Sequence, residues 1–173
     1  MLSTKSALLA VLAAAIVPVY AQQGPTDPQI AAIVVTANQV DIDAGKLAKS
    51  HSKNKGVQQF AQQMVTDHGS VNKQATALVT KLKVKPEPND TSRSLQKGGD
   101  ENLAKLKKLK GSAFDKAYVE HEVAYHEAVL DAIDKTLVPS AKNAELKDLL
   151  VKVRPAFVAH LDHAKHLQSE LGK

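Results

Sequence analysis

Residues 121–126 read H-E-V-A-Y-H, one residue too long between the histidines for the H-E-x-x-H motif of zinc peptidases. That motif needs its two histidines at i and i+4, on one face of a helix. Five residues apart, His121 and His126 are separated by about 140° around a helix of 3.6 residues per turn. His121 therefore falls on the flank and His126 points inward. The pair that does share a face is Glu122 and His126, a carboxylate and an imidazole one turn apart. Both are metal-ligand types, so the question becomes which other residues could meet them.

Apolar residues at helical spacing define four long stripes, and each is interrupted by a residue of ligand type. The first helix runs from about Ile30 to Ser50. With residues placed about 100° apart, Asp41 lies within about 40° of Ile30, Val34 and Ala37, whereas Asp43 points away with Gln39. On the second, from about Val57 to Lys83, His68 sits between Ala61 and Val71, with Asp67 at the stripe's edge. On the third, from about Ser112 to Leu137, Glu122 and His126 fall among Tyr118, Val129 and Ile133. On the fourth, from about Ser140 to Leu171, His160 lies between Val153, Phe157, Ala164 and Leu167. His163 is at the border of that stripe and His166 is on the solvent side.

Asp41, His68, Glu122, His126 and His160 all lie near the middle of their helices, so packing the helices side by side brings them to one level. Burying isolated charges and imidazoles costs several kcal/mol unless they are paired or bound to an ion. Two outcomes satisfy that requirement. One is a metal ion. The other is a metal-free polar network in which the carboxylates neutralise protonated histidines. A di-iron site of the ferritin type uses a Glu-x-x-His pair from each of two helices. Here His follows Glu122 at four residues, and no Glu lies near His68. Three histidines with one or two carboxylates suit a mononuclear Zn, Cu or Fe site better.

The chain of 173 residues fits one domain with a real core. Hydrophobic residues make up 43% but aromatics only 3%, so that core is built from Ala, Leu, Val and Ile. The absence of Cys excludes disulfides, thiolate ligands and a thiol nucleophile. Residues 1–21 read as a signal peptide: Lys5, an apolar run from Ala7 to Val17, then Val19-Tyr20-Ala21, with cleavage after Ala21. Export to the periplasm or beyond is expected, with no membrane span in mature residues 22–173. Lys and Arg total 23 against 18 Asp and Glu, and the leader holds one lysine. The mature chain is thus only mildly basic, and its lysine run at 105–110 lacks the aromatics that stack nucleic-acid bases. No nucleic-acid partner is expected. No G-x-S-x-G elbow or Gly-rich phosphate loop occurs.

Pro86 and Pro88 end the second helix. The Lys-rich stretch from Asn89 to Lys110, broken at Gly98-Gly99, predicts a crossover with one or two short helices, such as Glu101 to Leu109. Ser112 is the expected N-cap of the third helix, with Asp115 completing a weak capping box. Pro155 is a potential kink in the fourth. The predicted fold is all-α: an up-down four-helix bundle with a longer crossover between helices two and three, the connection found in ferritin-like bundles.

The segments G-K-L-A (45–48), F-A-Q-Q-M-V-T-D-H (60–68), G-S-A-F-D-K-A-Y (111–118), H-E-A-V-L (126–130) and R-P-A-F-V-A-H-L (154–161) resemble the DUF4142 family. The resemblance spans about Ile30 to Leu167. It implies an exported, ferritin-like bundle of unknown activity. The family's helix-one Glu falls on Asp41, a shorter carboxylate. Its Asp-His pair falls on Asp67-His68, and its later histidines on His126 and His160. Where the family often has Asp before the third-helix His, this chain has Tyr125. Three function classes follow: a metal-binding envelope protein for metal handling or stress protection, a ferritin-like metal-dependent oxidase, and a metal-free helical protein acting through contacts. The first is the expectation, with no catalytic residue assigned.

Overall fold

Asparagine caps set where most of the helices begin. In the computed structural model, which describes residues 24–172, Asn54, Asn89 and Asn143 each accept a hydrogen bond from the backbone N–H three residues on, at 3.2, 3.1 and 3.1 Å. An Asn side chain satisfies donors that the first helical turn leaves free. These caps open α2 (Lys55–Lys81), α3 (Asp90–Leu106) and α5 (Ala144–Leu171). α1 (Asp27–His51) starts after Thr26, whose N–H donates to Gln29 Oε1 at 3.0 Å. α4 (Gly111–Ala132) widens into a π-helical turn at Ile133–Leu137 and ends in a short helical turn at Val138–Ser140. All described elements are helical. The signal-peptide stretch lies outside the described residues.

α4 begins at Gly111, at φ 56°, with Lys110 as its N-cap and no side-chain cap. Ser112 is therefore inside the helix and not its cap. The fourth long helix starts at Ala144, four residues later than the sequence suggested, because the chain after Leu137 is taken up by the helical turn at Pro139. It continues through Pro155.

The larger correction is the crossover, which is a single 17-residue helix that Gly98-Gly99 does not break. A Cβ on Gly99 would stand 2.7 Å from Cγ2 of Val40 on α1, whereas Gly98 has nothing within 4 Å. The glycine at 99 is a contact point between two helices and not a stop. Gly99→Ala is expected to destabilise the protein by about 1–3 kcal/mol through overpacking. Gly98→Ala next to it should be neutral or stabilising by up to about 1 kcal/mol, from helix propensity alone. Urea unfolding of the two variants checks this, and equal effects would remove Gly99 from the α1–α3 contact.

The core divides into two apolar clusters. One contains Ile30, Ile33, Val71, Leu130, Leu150 and Phe157. The other contains Ala48, Phe60, Met64, Phe114, Tyr118 and Leu167. α1 and α5 run from the first cluster to the second, and α2 and α4 run from the second to the first. Two helices that run the same way cannot be joined by a short turn, so α3 returns the chain along α1. The start of α3 is held there by Glu87 N–H to Pro28 O at 2.9 Å and Asn89 Nδ2 to Gln29 O at 3.1 Å. Between the two clusters lies a layer of polar residues.

Candidate metal centre

Asp41, His68, Glu122, His126 and His160 are all buried, none more than 3% exposed. They come from four different helices. The His68, His126 and His160 ring centroids lie 5.2–5.5 Å apart, and one ligand atom from each falls within 4.8 Å of the others. Asp41, Glu122 and His126 form a second triplet of the same kind, so His126 belongs to both. Phe157 closes the layer against the apolar cluster by stacking on His68 at 4.9 Å.

The hydrogen bonds around the histidines fix which nitrogen of each carries a proton. His126 Nδ1 lies 3.0 Å from the main-chain carbonyl of Glu122. A carbonyl only accepts, so Nδ1–H donates and Nε2 is the nitrogen left facing the cluster. His68 Nδ1 lies 2.8 Å from Asn38 Oδ1, and Asn38 Nδ2 donates to Val34 O at 2.7 Å. That second bond sets the orientation of the amide, so His68 Nδ1–H donates to Asn38 and its Nε2 keeps a lone pair. His160 Nε2 lies 2.9 Å from the Asp67 carboxylate, to which it donates. Its Nδ1 is therefore the free acceptor, and it is buried without a hydrogen-bond partner.

The result is a cluster in which no histidine N–H points at Asp41. His68 Nε2 stands 3.2 Å and His126 Nε2 3.7 Å from the same Asp41 oxygen, Oδ2. Burial disfavours the charged form of His68 and, despite the pull of Asp41, brings its pKa down to about 4. Burial likewise lowers His160, against the opposing effect of Asp67. Burial would raise Asp41, but the neighbouring His68 and His126 outweigh it and hold its carboxyl below the ordinary value. Glu122 goes the other way. Burial and the Asp41 charge push it well above the ordinary range, so Glu122 holds a proton and Asp41 does not. The carboxylate of Asp41 and ring nitrogens of three histidines thus converge, which is the donor chemistry of a divalent cation.

Each histidine is also oriented as metal-binding histidines are. A ligating imidazole characteristically donates its other N–H to a carboxylate, a backbone carbonyl or another oxygen. Asp67, the Glu122 carbonyl and Asn38 fill these positions. The donor set fits a borderline transition ion such as Zn, Cu or Fe.

Asp43 points away and accepts from Gln39 at 2.9 Å. His163 borders the site, 3.1 Å from Gln63 Oε1, and His166 is exposed beside Glu170. Tyr125 does not join the cluster, and its hydroxyl donates to Ala37 O at 2.9 Å. Sequence reasoning did not single out Asn38 and left Asp67 at the stripe's edge. The available signals were the i, i+3 spacing of Asn38 and Asp41, and the adjacency of Asp67 to His68. The model of the family described as "Domain of unknown function (DUF4142)" matches residues 15–167. No curated protein and no solved structure matches the chain.

Proposed function

Because the chain belongs to the DUF4142 family, whose description carries no activity, its function rests on its own residues, and we propose that it is a metal-binding protein. It holds one ion of Zn, Cu or Fe through His68, His126, His160 and Asp41, with Glu122 beside Asp41. The single observation that carries this reading is the set of histidine hydrogen bonds, which turn every fixed N–H outward, set Nε2 of His68 and of His126 against a buried carboxylate and leave His160 Nδ1 buried without a partner. A metal-free network would need a proton between His68 Nε2 and Asp41. The pKa of His68, about 4, opposes one at neutral pH.

Four helices contributing one layer of ligands, with two parallel helices joined by a long crossover, support a ferritin-like four-helix bundle. Its site differs from the di-iron pattern in having more histidines than carboxylates. Three histidines and a carboxylate complete a tetrahedral shell, as in sites that hold a metal rather than leave a position open for chemistry. The leader-like residues 1–21 support a role outside the cytoplasm, in metal handling or protection of the envelope.

Elemental analysis after incubation with Zn, Cu and Fe tests the proposal. About one ion per chain is expected in the wild type, and none in His68→Ala, His126→Ala. A wild type that emerges metal-free from all three incubations, or a double variant that keeps its ion, would sink the site.

A further inference from the structure

A cavity of about 280 Å³ opens beside the polar layer. Its walls are almost wholly apolar, formed by side chains such as Ile33, Val71, Leu95, Val129 and Leu137 from five different elements. Its inner end is different, because Asn38, Asp41 and His68 face it there. Thr91 and Thr136, both exposed, stand at its mouth.

Two independent features separate this space from a packing defect. One wall is the π-helical turn Ile133–Leu137, which supplies Ile133, Thr136 and Leu137 to the lining. A turn of this kind widens the helix, and such turns occur most often at functional sites. The second feature is Asp41, a buried carboxylate that no N–H of the described residues reaches; the one acid proton beside it is that of Glu122, and a carboxylate has room for a further donor. The other polar groups are already engaged: Asn38 by His68 and Val34, and the Tyr125 hydroxyl by Ala37. The group with acceptor capacity to spare at the inner end is therefore Asp41.

We propose that the cavity binds a small, uncharged, largely apolar molecule with one hydroxyl, an alcohol or a phenol, which donates its proton to Asp41 Oδ1. The proposal rests on the metal reading in one respect: the ion engages Asp41 Oδ2, and Oδ1 is left for the ligand. A dry apolar cavity of about 150 Å³ accommodates benzene, so this larger one takes a body of about ten to twelve non-hydrogen atoms. A carboxylate of the same size is rejected, because its charge would meet Asp41 in an apolar enclosure. A hydrocarbon of the same size gains burial but brings Asp41 no donor.

Matched probes test this on the mature chain loaded with zinc and checked for zinc content: 4-butylphenol, butylbenzene and 4-butylbenzoate, titrated by calorimetry. The phenol is expected to bind at least tenfold more tightly than either of the others. Ala132→Phe fills the cavity wall and Thr136→Phe narrows the exposed mouth. Each should weaken phenol binding at least tenfold while zinc content stays at the wild-type value. Absence of phenol binding to protein that holds its zinc overturns the proposal, as does equal binding of all three probes. If the chain takes no metal, the metal reading falls, and the same titration of metal-free protein still decides the cavity. The same order of affinities is expected there, since Asp41 supplies the acceptor in both forms.

Discussion

Zinc added to the metal-free protein is expected to raise the thermal unfolding midpoint by about 8–16 °C. An ion present at about a thousand times its dissociation constant stabilises the native state by about 4.1 kcal/mol, provided the unfolded chain does not bind it. For a chain of this size each kcal/mol is worth about 2–4 °C. The effect should be this direct because the donors are already arranged: the tautomers are fixed, the rings are buried, and little reorganisation is needed. His126 belongs to both ligand triplets, so His126→Ala should remove the zinc-dependent part of the shift. That difference within one variant is the quantity to read, since the substitution also lowers the midpoint by removing a buried ring. Calorimetry with and without zinc measures it. An undiminished zinc shift in His126→Ala would place the ion elsewhere on the chain.

The second large effect concerns pH, and it is expected of the metal-free protein. His68 has a pKa of about 4 in the native state against 6.5 when unfolded. Between those values the unfolded chain binds the proton and the native one does not, so stability falls as pH drops from 6.5 to 4. At about 1.4 kcal/mol per unit, His68 alone contributes a loss of roughly 3 kcal/mol across that window. His160, lowered by burial, adds in the same direction. Glu122 has the opposite sign. Its native carboxyl holds a proton that the unfolded chain releases above about 4.5, so its contribution to stability declines as pH rises through and beyond that value. The sum rises with pH up to about 6.5, where the histidines dominate, and then falls as Glu122 alone remains. Urea unfolding from pH 4 to 9 should therefore show a maximum near pH 6.5. Glu122→Gln keeps the shape of the side chain and removes its titration, so the falling limb above pH 6.5 should flatten. If that limb persists unchanged in Glu122→Gln, Glu122 does not hold the proton.

The five residues of the polar layer were legible in the sequence for one reason. Each interrupts an apolar stripe at a position where a polar side chain cannot reach water. Helical periodicity alone places Asp41, His68, Glu122, His126 and His160 inward, and they are buried as that periodicity requires. Asn38 and Asp67 were less legible because their roles depend on neighbours from other helices. Asp67 is partly exposed on α2, and only the packing of α5 beside it gives it a histidine to hold. The crossover failed for a related reason. Two adjacent glycines look like a break when only local propensity is considered, and a Gly at a helix–helix contact is indistinguishable from one in a loop until Val40 is seen opposite it. The fold class and helix directions follow from stripes and loop lengths. The helix starts depend on which Asn or Gly caps, and here sequence spacing was off by a few residues.

The division of the core into two apolar clusters by a polar layer has a consequence for how the helices find their alignment. Stripes of Ala, Leu and Val are nearly interchangeable, so a helix displaced along its neighbours by one turn, about 5.4 Å, would still bury apolar surface. The layer makes such a slide expensive. A shifted α2 would press His68 among aliphatic side chains and take from Asp41 the nearer of its two imidazoles, leaving buried polar groups on both helices without their partners. The same groups that could hold an ion thus act as a ruler. They mark a single axial setting for four helices whose remaining contacts would tolerate several, as a lone polar residue does in the seam of a coiled coil.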